Sequence, residues 1–101
     1  MHTFRVALAL LIATAVHAQP FETLEVVVEA TQSIKLAGTL TLPKGNGPHR
    51  AAILITGNGG HTRDQVISGS PMFRMLAEHL AANAIATLRL DDRGVGASTG
   101  P

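Results

Sequence analysis

Hydrophobic and polar side chains alternate along two stretches near the start of the chain. Between residues 24 and 30 the even positions are apolar and two of the odd positions are glutamates. Residues 34–42 alternate in the same way, and the polar residues 31–33 separate the two stretches. This period, together with β-branched side chains, predicts two strands paired as a hairpin. Gly38 lies inside the second stretch and predicts a bulge or the close approach of another backbone.

Apolar runs and a helical spacing predict the remaining elements. Residues 51–55 are continuously apolar, which is typical of a strand buried on both faces of a central sheet. From Met72 onward the apolar spacing is that of an amphipathic helix, which we expect to follow Pro71 and to end near Asn83. Residues 85–90 predict one more strand. The order strand, strand, strand, helix, strand predicts a mixed sheet in an α/β protein.

The first 18 residues have the pattern of an export signal. A short segment that contains Arg5 precedes a predominantly apolar run at 6–16, and the tripeptide V-H-A stands before Gln19. The run is shorter than the roughly 20 residues that span a bilayer. We therefore expect residues 1–18 to be a signal peptide and residues 19–101 to be a secreted or periplasmic domain without a stable membrane anchor. An uncleaved anchor or a buried helix is the alternative.

Composition excludes several classes of function. The 101 residues hold 8 Lys and Arg against 7 Asp and Glu, a formal charge of +1, and no cysteine. A basic stripe interleaved with aromatic residues is absent, so nucleic acid is not an expected partner. Without cysteine there is no thiolate zinc site and no cysteine nucleophile, and no pair of histidines or carboxylates has metal-ligand spacing. We therefore expect no metal site.

The predicted elements also leave a sheet incompletely covered. Two of its strands, at 51–55 and 85–90, are apolar on both faces, yet the sequence predicts a single helix to cover them. One face of the sheet would then stand open to water. We therefore expect these residues to be the first part of a larger domain, either as a fragment or as an incomplete gene product.

Three stretches resemble a known family. They are G-T-L-T-L-P at 38–43, I-L-I-T-G-N-G-G at 53–60 followed by Arg63 and Asp64, and L-R-L-D-D-R-G-V-G-A-S-T-G at 88–100. The chain resembles the N-terminal portion of a secreted bacterial α/β-hydrolase, in the esterase and serine-aminopeptidase-like branch. The resemblance implies the N-terminal part of an α/β-hydrolase fold, in which an antiparallel β-hairpin leads into a mostly parallel sheet. It also implies cofactor-free hydrolysis of a small-molecule ester or related acyl bond by a serine nucleophile.

The resemblance further implies a role for the loop after the third predicted strand. In this fold that loop supplies an N–H donor for the oxyanion of the tetrahedral intermediate, which assigns the oxyanion loop to Gly57, Asn58 and Gly59, with the donor at Asn58. The alternative is that these glycines only form a tight turn. The nucleophile, the acid and the histidine would lie beyond Pro101. We therefore expect no catalytic residue in this chain and no activity from it alone.

Ser98 is the residue that most invites a catalytic assignment. Residues 96–100 match G-x-S-x-G, the signature of a nucleophile elbow, but that elbow joins a strand directly to a helix. Here residues 91–95 separate the predicted strand from the motif, so we expect Ser98 to belong to a loop. Asp91, Asp92 and Arg93 form either an ion-paired turn or a solvated cluster, and Arg63 with Asp64 is open to the same two interpretations.

Two other classes of function remain as alternatives. A dinucleotide-binding domain would use Gly57 and Gly59 after a buried strand and Asp91 at the end of the next one. Thr62 stands where the third glycine of that fingerprint is required, and the predicted helix begins well after the glycines. The other class is a non-catalytic remnant or binding module.

Overall fold

The computed structural model describes residues 20–101, so the predicted signal peptide at 1–18 lies outside the described residues. The elements follow the chain in this order: β1 (Phe21–Thr31), β2 (Ile34–Pro43), β3 (Arg50–Leu54), β4 (Val66–Ile67), β5 (Ser70–Pro71), α1 (Met72–Ala82) and β6 (Ile85–Leu90). The hairpin, the third strand, the helix and the last strand are confirmed. No helix in the described part is long and apolar enough to cross a membrane.

Strands β1, β2, β6 and β3 form one four-stranded sheet, in that order. β1 and β2 are antiparallel, with Leu24 opposite Leu40. β2 and β6 are also antiparallel, and Leu40 lies opposite Leu88. Only β3 and β6 are parallel, with Ile53 beside Leu88. The crossover through α1 explains that parallel pair, because parallel neighbours need a long connection whereas a hairpin makes an antiparallel one.

The expected fold class is wrong. The described residues form a mostly β structure, with a mixed four-stranded sheet, a two-stranded sheet and one short helix, Met72–Ala82. This is not the N-terminal part of an α/β-hydrolase fold with a mostly parallel sheet, since two of the three strand pairings in the four-stranded sheet are antiparallel. The physical reason is that β6 inserts beside the hairpin strand β2, so that a single crossover creates only one parallel neighbour.

The two faces of the sheet differ in what covers them. Helix α1 packs against β6 and β2 and buries Thr41, Thr87 and Arg89. The opposite face carries one apolar side chain from each strand, in a row that ends at Ile53 of β3. No helix of the described residues covers this face, and Ile53 is 64% exposed and Ile55 80% exposed. The prediction that β3 is buried on both faces is therefore wrong, because β3 is an edge strand. The prediction that one face stands open is confirmed.

A short second sheet lies between β3 and α1, where the sequence pattern predicts neither a strand nor a helix. Val66 pairs with Pro71 and Ile67 pairs with Ser70. Ser68 and Gly69, which join the two strands, both have positive φ, at 51° and 81°. Positive φ at both central residues is the requirement of a type I′ hairpin turn. The β4–β5 ribbon, residues 66–71, lies between β3 and α1 in the chain and ends directly before α1.

Candidate functional site

Polar contacts concentrate where β3 and β6 end. Because the two strands are parallel neighbours, the segments that follow them emerge at the same edge of the sheet. We call these segments the β3–β4 loop (residues 55–65) and the C-terminal loop (residues 91–101). A helix between two strands favours a parallel pair of strands, and the proximity of the two loops follows from that pairing. The individual residue contacts between the loops do not follow from the sequence pattern.

Asp92 fixes the first half of the β3–β4 loop. Its Oδ1 accepts a hydrogen bond from the Thr56 hydroxyl at 2.7 Å, and its Oδ2 accepts one from the His61 N–H at 2.9 Å. The Asp92 N–H in turn donates to the His61 carbonyl at 3.0 Å. The hydrogen bond from Thr56, followed by that from His61, lowers the pKa of Asp92 below its usual value. Both ends of the segment from Thr56 to His61 are thus tied to one carboxylate.

Asp91 fixes the second half of the same loop through Arg63. The carboxylate accepts from the Arg63 N–H at 2.7 Å, from Arg63 Nη2 at 2.9 Å and from the Ala97 N–H at 3.0 Å. Burial by itself would raise the pKa of Asp91, but the hydrogen bonds from Arg63 and Ala97 outweigh it and lower the pKa to about 2. The same pair raises the pKa of Arg63. Asp91 is therefore a buried, ionised anchor.

Arg63 also reaches across to the hairpin. Its Nη1 donates to Glu25 on β1 at 2.5 Å and to the Thr39 hydroxyl on β2 at 2.9 Å. The bond from Arg63 is the main cause that lowers the pKa of Glu25. Asp91 and Arg63 form an ion pair, but they join two different loops, whereas the predicted ion-paired groups were Asp91 with its neighbours in sequence and Arg63 with Asp64. Arg93 is exposed and forms no salt bridge within residues 20–101.

Ser98 acts as a structural link. Its side chain is buried, its Oγ accepts a hydrogen bond from the Ala37 N–H of β2 at 2.9 Å, and its hydroxyl donates to the Asp91 carbonyl at 2.8 Å. A nucleophilic serine gives its proton to a base. The Ser98 hydroxyl instead donates its hydrogen bond to the Asp91 carbonyl, and its oxygen accepts a hydrogen bond from the Ala37 N–H. The G-x-S-x-G match therefore sits in a loop anchored to β2.

The glycines of the D-x-R-G-x-G-x-S motif make room for these contacts. Gly96 has φ 56°, and a Cβ on it would lie 2.6 Å from the Asp91 carboxylate. Gly94 has φ 73°, and a Cβ there would lie 2.8 Å from the carbonyl of Gly100. Positive φ and such close approaches require glycine. The glycines of the motif thus stand at the positions where the loop around Asp91 has positive φ and no room for a side chain.

Gly57, Asn58 and Gly59 lie just past the end of β3, and all three are exposed. Within the described residues, none of their N–H groups donates a backbone hydrogen bond to the rest of the chain. A cavity of about 420 Å³, which Thr56 helps to line, opens on the uncovered face of the sheet. Its lining is mainly apolar and includes Ile53, Ile55 and Leu90, with Thr56 and Asp92 at the polar end. The loop thus presents N–H groups without a protein acceptor, and the cavity reaches Thr56, the residue before Gly57, but not residues 57–59 themselves.

Two other predictions concern this region. The β4–β5 ribbon separates the glycines from α1, so the glycines do not open the helix as a dinucleotide-binding fingerprint does. Among residues 20–101, no three His, Asp or Glu side chains gather in a group that would hold a metal ion.

The lowered carboxylate pKa values predict acid-sensitive stability. Because folding lowers the pKa of Asp91, Asp92 and Glu25, the folded chain binds fewer protons than the unfolded chain in acid. Their stabilisation is complete above about pH 5 and is lost as the pH falls through the folded-state values. Asp91, whose pKa falls from 3.8 to about 2, contributes roughly 2 kcal/mol of this.

Urea titrations between pH 2 and pH 7 measure this dependence. We expect Asp91→Asn to flatten the profile between pH 4 and pH 2, since its folded and unfolded states no longer differ in protonation at this position. A wild-type free energy of unfolding that stays level down to pH 2 would contradict the assignment of Asp91 as an ionised anchor.

Comparison with known proteins identifies one partial relative. The chain is 36% identical over 58 residues to esterase EstD of Thermotoga maritima, a match that covers 57% of this chain and 14% of that protein. The chain thus spans a small part of the length of the curated relative that it matches. No protein-family model matches the chain, and no solved structure matches it. The comparison supports an esterase-like relationship over part of the sequence.

Proposed function

We propose that this chain supplies the oxyanion-binding loop of a serine hydrolase that acts on ester or related acyl bonds. The observation that carries the proposal is the set of N–H groups without a protein acceptor at the exposed residues Gly57, Asn58 and Gly59, in a segment that Asp92 holds on both sides through Thr56 and His61. The partial similarity to an esterase supports the same chemistry.

The clamp serves a mechanistic need. Acyl transfer passes through a tetrahedral intermediate whose oxyanion is stabilised by N–H donors that are already in place. A glycine-rich loop is intrinsically mobile, so its donors lose this advantage unless the loop is held. Thr56 and His61 hold the loop through the Asp92 carboxylate. The apolar cavity beside the loop would receive the apolar part of the substrate.

The proposal assigns no nucleophile to the described residues. Ser98 is buried and both of its hydrogen-bonding partners are backbone groups. We therefore expect the 101-residue chain to release no p-nitrophenol from p-nitrophenyl acetate above the buffer rate. Ser98→Ala is the matched control. Turnover by the wild-type chain that disappears in Ser98→Ala would show that Ser98 is the nucleophile after all.

A chimera tests the loop itself. The 58 residues of esterase EstD that this chain matches would be replaced by the corresponding residues of this chain, and p-nitrophenyl ester hydrolysis measured. In that chimera Asn58→Pro removes the backbone N–H, and we expect kcat to fall about a hundredfold. Asn58→Ala keeps the N–H and should retain activity. Equal activity of the two variants would contradict the donor role, and a folded but inactive chimera would favour a non-catalytic module.

A further inference from the structure

We propose that Asn58 is a site of spontaneous deamidation, with Gly59 as the attacking residue and His61 as the group that accelerates the reaction. The Gly59 nitrogen loses its proton to water and forms a bond to the Asn58 side-chain carbonyl carbon. The bond from that carbon to the side-chain nitrogen breaks, and ammonia leaves. Water then opens the resulting succinimide to aspartate or isoaspartate. The reaction needs no reactant other than water and no partner protein.

The local structure allows the ring to close. Asn58 is exposed, and its side chain makes no hydrogen bond to any other residue in the range 20–101. Gly59 has φ 96° and carries no side chain that would hinder the attack. Asn83 has the opposite character, because its Nδ2 donates to the His79 carbonyl at 2.9 Å and an alanine follows it. Asparagine is a chemically labile residue in proteins, and these contacts decide which asparagine reacts.

His61 contacts the peptide group that reacts. Its Nε2 lies 2.6 Å from the Asn58 carbonyl oxygen. A carbonyl oxygen has no proton to offer, so Nε2 is the donor in this contact. That oxygen belongs to the same peptide group as the Gly59 nitrogen. A hydrogen bond to the oxygen stabilises the negative charge that the group acquires when the nitrogen loses its proton, and the attack becomes faster.

The chain holds an internal comparison for this effect. Asn46, Gly47 and His49 repeat the spacing of Asn58, Gly59 and His61, and Asn46 is also exposed. Pro48 follows Gly47 whereas Gly60 follows Gly59, so the two sites differ at that position as well as in the contact of the histidine. His49 makes no hydrogen bond to the carbonyl of Asn46, whereas His61 does bond to that of Asn58. The deamidation rate at Asn46 is therefore the reference rate for an exposed Asn-Gly pair without a histidine donor.

The product would alter the 57–59 loop. Deamidation replaces a neutral amide by a carboxylate, and isoaspartate adds one carbon to the backbone path. If the proposed function holds, both changes oppose oxyanion binding, because the new charge repels an anion and the longer path moves the donors. The deamidation itself does not depend on the proposed function.

The experiment follows both sites by peptide mass spectrometry in the full chain incubated at pH 7.4 and 37 °C. We expect His61→Phe to slow deamidation at Asn58 about fivefold, because the loss of one hydrogen bond changes a rate by about this factor. The deamidation rate at Asn46 should stay the same. His49→Phe should change neither site. In concentrated urea the hydrogen bond is absent, so wild type and His61→Phe should react at equal rates at Asn58.

Three results would overturn the proposal. The first is an Asn58 that stays intact while Asn46 deamidates. The second is a His61→Phe variant, folded by circular dichroism, that deamidates at Asn58 as fast as the wild type. The third is a rate difference between these two proteins that persists in urea, because it would come from local sequence and not from the folded contact. Loss of ester hydrolysis in the chimera bears on the proposed function alone.

Discussion

Replacing Asp91 by asparagine is expected to lower the free energy of unfolding by about 3 kcal/mol or more. The Asp91 carboxylate is 4% exposed and receives three hydrogen bonds from Arg63, at its backbone N–H, Nε and Nη2. Removal of its charge leaves the largely buried guanidinium facing a neutral group. The guanidinium then keeps only the exposed Glu25 as its ion-pair partner, and a largely buried charge that loses its buried partner is costly.

Glu25→Gln is the matched control for this prediction. Glu25 contacts the same guanidinium through Nη1, but its side chain is 72% exposed, so water compensates for its removal. We expect a loss below about 1 kcal/mol for this variant. Urea unfolding at pH 7 measures both variants. Similar losses for Asp91→Asn and Glu25→Gln would mean that burial does not distinguish the two carboxylates.

Replacing Gly38 by alanine is expected to cost about 3 kcal/mol, at the upper end of the range for overpacked sites. Gly38 lies in β2 between Val26 of β1 and Leu90 of β6. A Cβ on Gly38 would lie 2.2 Å from the Arg89 carbonyl oxygen and 2.5 Å from Leu90 Cδ2. The first contact is with backbone, so a rotamer change cannot relieve it and β2 must move away from β6. The sequence prediction of a close backbone approach at this glycine is confirmed.

Gly57→Ala is the control for a glycine without such a neighbour. A Cβ on Gly57 would meet nothing within 4 Å, and its φ does not lie in the left-handed region. Alanine there should leave stability unchanged or raise it by about 0.5 kcal/mol, because it restricts the unfolded chain. Thermal unfolding followed by circular dichroism compares the two variants. A Gly38→Ala protein as stable as Gly57→Ala would contradict the close packing of β2 against β6.

The candidate site was only partly predictable from the sequence. Residues 57–59 and the motif that begins at Asp91 could be singled out, because glycine and paired charges after apolar runs are local signals. Their contacts could not be predicted. Arg63 contacts Asp91, and Asp92 contacts Thr56 and His61, because the parallel pairing of β3 and β6 brings the two loops to one edge.

The sequence by itself determined the long elements of this protein but not the β4–β5 ribbon, since alternation, helical spacing and turn residues act over a few positions. It placed the hairpin, the helix Met72–Ala82 and the strand Ile85–Leu90. The tertiary structure alone decided that β6 lies between β2 and β3, and hence that the sheet is mixed and mostly antiparallel. It also decided which face α1 covers. Strand pairing and burial depend on partners that are distant in the chain, and no local pattern encodes which distant partner is chosen.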